Sequence, residues 1–323
     1  MDVSVIIVNT NEKAMILNCL RSVHEKTRDL EFEIFVVDNA STDGSVEAMK
    51  EQFPDVHVVE NKVNVGFSAA CNQPTDLCKG RNILYLNPDT LVLNNALKDM
   101  SDFLDHNHKV GSVGCKLLNI DGSLQPSCRN FLTNRNLLLQ HILPWRKLFP
   151  KLAGKLILEF WSHDQIREVD WIIGACLMVK RHVIDEVGLK DEDFFMFHEE
   201  TDWCYRSHIC GWKTVFLPTS SIIHFGGHTT KAIWGRKLVL RYYEGKHLFI
   251  KKHYGNLRLF IHRFLMTHLL LLRLTRYTIR SKFNQLPPEE KTETFEFFRE
   301  ALAMQMGLDK NPKQKPREVN SGK

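Results

Sequence analysis

The chain has 323 residues, 43% of them hydrophobic, and a formal net charge of +5. That is enough apolar material for one large domain, or a domain with an appendage, and it excludes a disordered chain. The mild positive excess suits anionic substrates or a membrane face and falls short of a nucleic-acid footprint, so no nucleic-acid partner is expected.

Strand patterns begin within three residues of the N-terminus, leaving no room for a basic leader and apolar segment, so a cytoplasmic location is expected. Short β-branched runs at Val3–Asn9, Phe32–Asn39, residues 56–61 and Asn82–Leu86 alternate with helical spacing over residues 12–23, 45–53 and 68–78. This rhythm predicts an α/β fold, a mostly parallel sheet flanked by helices, with ligands gathering at the strands' carboxyl ends. Residues 131–164 are less regular, and Pro144 and Pro150 break any long helix, so an insertion or lid is expected there. Regular patterns return over 169–181, 198–213 and 214–230. From residue 236 the helical pattern has no strand partners, and from about 307 the chain is polar and Lys-rich. The expected organisation is a nucleotide-binding domain over 1–232, a C-terminal helical appendage over 233–306 and a disordered tail over 307–323. Eight scattered cysteines with no C-x-x-C pair read as reduced packing residues.

Two acids stand at strand ends: Asp38 closes the second strand and Asp89 follows the fourth. The stretch DNASTDGS from Asp38 reads equally well as a turn with a helix cap. Asn87 and Asp89 flanking Pro88 are harder to reduce to a turn. Two oxygen-bearing side chains beside a rigid proline suit a hard cation with a diphosphate and ribose.

Four separated motifs, VSVIIVNTNEK, VVDNASTDGS, NVGFSAACN and NPDT, occur in that order within residues 2–230. Together they resemble the inverting family-2 glycosyltransferases of GT-A fold, in particular the bacterial rhamnosyltransferase-like branch. The resemblance implies that Asn9, Thr10 and Asn11 border the base of a nucleotide-sugar and that Asp38 accepts from its pyrimidine ring. Asn64 and Gly66 would form a loop near the ribose and diphosphate, where a residue without Cβ permits close backbone approach. Asn87 takes the first position of the family's D-x-D motif, where the family often has Asp, which leaves Asp89 as the main carboxylate ligand of Mg²⁺ or Mn²⁺. His224, ending an apolar strand, would add an imidazole to that metal, with Gly226 and Gly227 letting a loop fold over phosphates. His228 and Thr229 are weaker phosphate candidates.

The stretch FFMFHEETDWCYR holds three acids at a helix start, where Glu199, Glu200 and Asp202 would favour the macrodipole and Asp202 would pair with Arg206. It also resembles the family's E-D-x-D-x-x-x-R motif, which implies Glu200 as general base, in place of the family's Asp, with Asp202 as the second candidate. Glu199, Trp171, Gly174 and Ala175 would lie on the acceptor side, though Trp171 reads equally well as core.

Residues 258–282 are Leu-rich but interrupted, with no run near the roughly 20 apolar residues of a spanning helix. On a helix, Arg258, His262, Arg273, Arg276 and Arg280 fall within about 60° of one another. This is either a helix packed on the catalytic domain or an interfacial helix resting on anionic lipid. The second fits a peripheral enzyme on the inner face of the plasma membrane.

The expected function is metal-dependent, inverting transfer of a sugar, rhamnose by resemblance, from a nucleoside-diphosphate donor. The acceptor would be a hydroxyl of a glycan or lipid-linked glycan in cell-surface polysaccharide synthesis, such as O-antigen. The alternative is a catalytically silent nucleotide-sugar or carbohydrate-binding module of the same fold, which the departures at Asn87 and Glu200 favour. A nicotinamide-dependent oxidoreductase is disfavoured, because it needs G-x-G-x-x-G after the first strand and VNTNEK has no glycine.

Overall fold

The structure, a computed structural model, describes residues 1–133, 136, 152, 156–226, 237–283 and 288–308. Most of the expected lid, with Pro144 and Pro150, lies outside the described residues, as do Gly227, His228, Thr229 and the tail beyond 308. The chain divides into one unit spanning Met1–Thr229 and a second spanning Thr230–Lys315.

In the first unit, strands β1 (Val3–Asn9), β2 (Phe32–Asn39), β3 (His57–Asn61) and β4 (Asn82–Leu86) alternate with helices α1 (Lys13–Lys26), α2 (Ser45–Gln52) and α3 (Phe67–Asn72). There follow β5 (Thr90–Leu93), α4 (Ala96–His106), β6 (Val110–Leu118), β7 (Leu124–Gln125) and β8 (Cys128–Arg129). The unit continues through β9 (Arg167–Val169), β10 (Trp171–Ile172), β11 (Cys176–Lys180), α5 (Arg181–Val187), α6 (Glu199–Ile209) and β12 (Lys213–His224). The main sheet runs β3-β2-β1-β4-β11-β6-β12-β5. Its β1, β2, β3 and β4 pair in parallel, as do β6 and β12, while β11 and β5 run against their neighbours.

Every residue of β1 and of β4 is buried, as expected for central strands covered on both faces. Helix α1 buries Ile16, Cys19, Leu20 and Val23, an i, i+3, i+4, i+7 stripe, against Val5, Ile7 and Leu84 of the sheet. Burying each large aliphatic side chain contributes about 2 kcal/mol. Helix α3 is shorter than the expected 68–78. Pro74 has no N–H to offer the carbonyl of Ala70, and the chain continues in turns, with the Cys78 N–H donating to the Pro74 carbonyl at 3.1 Å. All eight cysteines are free, and all but Cys210 are buried.

Two strand ends matter for the site. Strand β12 shifts register between Leu217 and Ser221, around Pro218, a bulge that accommodates a residue without an N–H. Its last residues then run between β6 and β5, with His224 opposite Thr90. On β4, the chain leaves the strand at Asn87, whose N–H donates to the Ala175 carbonyl at 3.0 Å.

The second unit contains α7 (Lys237–Phe283), broken at Gly255 (φ 82°, ψ 175°), and α8 (Pro288–Met306) packed along it. None of the described helices is long and apolar enough to cross a membrane. Of the expected basic stripe, Arg258, Arg273, Arg276 and Arg280 are exposed, but His262 is buried. It belongs to the stripe Leu259, His262, Met266, Leu270 that turns inward, and its ring meets that of His247 edge-on at 5.8 Å. The arc that links it to Arg258 on a helical wheel spans the boundary between covered and solvated faces, so His262 does not belong to the exposed basic stripe.

Gly80 marks a backbone crossing in the first unit. Its N–H donates to Ser4 Oγ at 2.8 Å, and a Cβ there would stand 2.4 Å from the Ser4 nitrogen and 2.7 Å from the Val3 carbonyl carbon. Gly80→Ala is expected to destabilise the protein by about 3 kcal/mol, read as a lower urea midpoint with unchanged slope.

Candidate active site

The DNASTDGS turn is both brace and candidate pocket. Asn9 is fully buried, and its Nδ2 donates to Asp38 Oδ1 at 2.9 Å, Ser41 Oγ at 3.2 Å and Ser45 Oγ at 3.0 Å. Asp38, 2% exposed, also accepts the Ser41 N–H on Oδ2 at 2.8 Å. Asp43 accepts the N–H groups of Lys13 and Ser45, which tie the start of α1 to that of α2; against burial, the Ser45 side chain and these two N–H groups lower its pKa. Asn9, expected to border a base, is therefore buried and its amide nitrogen is bonded within the turn. Thr10 and Asn11 are half-buried, and Asn11, in the left-handed region at φ 54°, accepts the Thr42 N–H on Oδ1 at 2.7 Å.

The Asn64–Gly66 loop also differs from expectation in its physical reason. Asn64 Oδ1 accepts the Gly66 N–H at 2.9 Å, a local Asx turn. Gly66 has φ +91°, and a Cβ on it would meet the Phe195 ring at 2.7 Å and the Phe195 carbonyl oxygen at 2.8 Å. The missing side chain makes room for Phe195, a segment of this same chain, where the expectation was close approach to a ligand. Further bonds join the two segments: Phe67 N–H to Phe195 O at 2.7 Å and Ser68 Oγ to Phe194 O at 2.6 Å. Asn72 clamps Lys190 from both sides, Nδ2 donating to its carbonyl at 2.8 Å and Oδ1 accepting its N–H at 3.1 Å. The NVGFSAACN motif is thus the buttress of the loop that leads into α6.

Asp89 and His224 come together. The Asp89 carbonyl accepts the Phe225 N–H at 3.0 Å, and Asp89 Oδ1 lies 3.4 Å from His224 Nε2. Both side chains are about nine-tenths buried. Nδ1 of His224 lies 2.6 Å from Gln125 Oε1, while Nε2 is buried without a hydrogen-bond partner among the described residues. A carboxylate oxygen facing an imidazole nitrogen suits a divalent cation that takes its other ligands from phosphate oxygens and water. Among the described residues no three His, Cys, Asp or Glu side chains gather around one such point, so the protein's share would be these two. Asn87 is half-buried, its backbone held by Ala175 and its carbonyl accepting Thr90 Oγ1–H at 2.7 Å.

Strand β11 carries the same sheet edge across to the acids. Ala175 is bonded to Asn87, and the next residue back, Gly174, lies over Glu200, whose Cβ, Cγ and Cδ stand 3.6–3.8 Å from where a Gly174 Cβ would be. Glu199 and Glu200 are both buried at the first turn of α6, directly after Phe197 and His198, which both adopt left-handed φ values of 68° and 69°. Burial, with Glu200 adding to it, pushes the Glu199 carboxyl up to about 8. Burial raises Glu200 as well, against the pull of the Lys190 ammonium and of backbone N–H groups at Gly174 and Thr201. Two such neighbours shed their protons in separate steps that belong to the pair. Glu200 Oε2 has no hydrogen-bond partner among the described residues.

Asp202 has a different environment. It is 1% exposed and accepts Arg206 Nε at 2.8 Å, while the other guanidinium nitrogens donate to the Val187 and Leu189 carbonyls. The helix-pair reading thus describes Asp202, and the two acids proposed as alternatives for one role are separated by their partners. Trp171 is buried, with Nε1 donating to the Asn130 carbonyl at 2.9 Å and its ring edge-on to His198 at 6.2 Å. It forms a wall behind the acid-bearing turn.

The sequence reading missed Gln125, Lys190 and Phe195. Lys190 is 3% exposed and lies 4.2 Å above the Tyr85 ring, a buried ammonium whose field reaches both glutamates. No local pattern marks any of the three, because each acts on residues remote in sequence.

The model of the family Glycosyl transferase family 2 matches residues 4–155. The chain is 26% identical over 215 residues to the N-acetylglucosaminyl-diphospho-decaprenol L-rhamnosyltransferase of Mycobacterium tuberculosis, covering 61% of this chain and 67% of that one. It is 23% identical over 187 residues to rhamnosyltransferase WbbL of Escherichia coli, covering 56% and 68%. Among solved structures, GalNAc-T7 with UDP, GalNAc and Mn²⁺ is similar with a TM-score of 0.52 at 18% identity, over 69% of this chain and 44% of that one. That last likeness is one of fold: the sheet and its flanking helices are those of GT-A glycosyltransferases. The strands that carry Asp38 and Asp89 thus lie within the stretch that matches glycosyl transferase family 2, and two rhamnosyltransferases are among the proteins this chain is similar to.

Proposed function

We propose that this glycosyltransferase inverts the anomeric centre of a nucleoside-diphosphate sugar, in the first instance a rhamnosyl donor, as it transfers the sugar to a hydroxyl of a glycan or lipid-linked glycan in cell-surface polysaccharide synthesis. The observation that carries the reading is the 3.4 Å approach of Asp89 Oδ1 and His224 Nε2 at the carboxyl edge of the sheet. The names of the two relatives support the sugar and the lipid-linked acceptor.

In this reading Asp38, Thr10, Asn11 and Asn64 receive the nucleoside, and Asp89 and His224 hold Mg²⁺ or Mn²⁺ with Asn87 beside them. A divalent ion there would offset the negative charge that builds on the departing diphosphate. Glu200 accepts the proton of the acceptor hydroxyl as its oxygen attacks the anomeric carbon from the face opposite the leaving group. Two features support this role. Burial raises Glu200's proton affinity, and its Oε2 has no hydrogen-bond partner among the described residues. Trp171, Gly174, Ala175 and Glu199 then line the acceptor side.

The exposed arginines of α7, with Phe260, Phe264, Leu271, Leu272 and Ile279 exposed alongside them, support a peripheral seat on anionic lipid. That seat would bring the enzyme to a lipid-linked acceptor.

Glu200→Gln is expected to lower kcat by about 10³-fold or more with the donor KM nearly unchanged, whereas Asp202→Asn is expected to cost about 3 kcal/mol of stability; steady-state kinetics and urea melts separate the two. Asp89→Ala should abolish Mn²⁺-linked binding of thymidine or uridine diphosphate in calorimetry. Metal-linked binding in the native protein without hydrolysis or transfer from any activated sugar would instead identify a silent binding module. Sedimentation with vesicles containing phosphatidylglycerol should carry the protein down, and replacing Arg273, Arg276 and Arg280 by Gln should weaken that by about tenfold or more at low salt.

A further inference from the structure

We infer that Gln125 is a positioning residue that fixes the tautomer of His224 and so aims the Nε2 lone pair at the space beside Asp89. The inference rests on the metal-site reading above and adds a residue that reading does not contain.

The polarity of one hydrogen-bond chain carries it. Asp121 Oδ1, a carboxylate that only accepts, takes the Ser123 hydroxyl proton at 2.6 Å. Ser123 Oγ then accepts from Asn119 Nδ2 at 2.9 Å, which leaves Asn119 Oδ1 facing Gln125 as an acceptor. Gln125 Nε2 donates to that oxygen at 3.1 Å and to the His224 carbonyl at 3.4 Å. With its NH₂ group committed to two acceptors, the Gln125 amide turns its oxygen to His224 Nδ1 at 2.6 Å. An amide oxygen has no proton to give, so Nδ1 carries the hydrogen and the neutral ring keeps its lone pair on Nε2, 3.4 Å from Asp89 Oδ1.

The backbone is shaped around this contact. The turn at residues 119–123 returns β6 into the short strand β7, placing Gln125 opposite Leu117 while Ile222 of β12 pairs with Leu117 from the other side. Gly226, at φ +74°, leaves room for the amide, since a Cβ there would stand 3.2 Å from Gln125 Nε2. Hydrogen-bonded partners of this kind orient metal-binding imidazoles, and losing one weakens metal affinity about 10–100-fold.

The test compares the native protein with Gln125→Leu and Gln125→Glu by two readouts that do not depend on turnover. The first is ¹⁵N NMR of the His224 ring; the second is Mn²⁺ titration by electron paramagnetic resonance with thymidine or uridine diphosphate present. The native ring is expected as the Nδ1–H tautomer. Gln125→Leu should lose that tautomer and bind Mn²⁺ about 10–100-fold more weakly, and Gln125→Glu, whose carboxylate still accepts from Nδ1, should keep both. A Leu variant that stays folded with native tautomer and native Mn²⁺ affinity would overturn the role of Gln125 alone. If the Leu variant does not fold, the Glu variant decides: loss of the Nδ1–H tautomer there overturns it. Absence of Mn²⁺-linked diphosphate binding in the native protein would instead overturn the metal-site reading, and this inference with it.

Discussion

The backbone hydrogen bond from Phe225 N–H to the Asp89 carbonyl holds the site together at its centre. It extends the β5–β12 ladder one step past the His224–Thr90 pair, and so brings the segment that leaves β4 against the segment that leaves β12. Pro88 stiffens one partner, and the bulge around Pro218 resets the register of the other. A one-residue slip in that register would turn His224 to the opposite face of the sheet. The proximity of carboxylate and imidazole is therefore a property of strand pairing before it is a property of side chains.

A second constraint joins this edge to the acids of α6. Asn87 is bonded to Ala175, Gly174 covers Glu200, and the Asn64–Asn72 segment holds the chain from Lys190 to Phe195 through Gly66, Phe67, Ser68 and Asn72. The loop entering α6 also bears two residues in the left-handed region, conformations that persist only where surrounding contacts enforce them. The segment that resembles a donor-binding loop is therefore mechanically continuous with the one that carries the proposed base.

Within α6 three acids on one helical turn have three fates, set by their surroundings. Asp202 is neutralised by Arg206, Glu199 is driven by burial and its neighbour to keep its proton, and Glu200 has an oxygen without a partner beside Gly174. Pairs of titratable groups whose environments separate their proton affinities are how one fold divides acid and base roles. The Lys190 ammonium, buried over Tyr85, pulls both carboxyls back toward their charged forms against burial.

The sequence alone determined the α/β rhythm and the strand ends that carry Asp38, Asp89 and His224. It could do so because a strand buried on both faces is an unbroken β-branched run, and its end is where that run stops. It also carried the resemblance to family-2 glycosyltransferases, because four short motifs stand in the order that resemblance requires. Tertiary structure decided what each residue does there. Asn9 became a buried strut, Gly66 a seat for Phe195 and His262 a core residue of the helical unit, since each outcome depends on a neighbour tens of residues or more away. Gln125, Lys190 and Phe195 left no trace in local pattern for the same reason. Hydrophobic period is written along the chain, but hydrogen-bond polarity, desolvation and van der Waals exclusion exist only between segments that folding has already brought together.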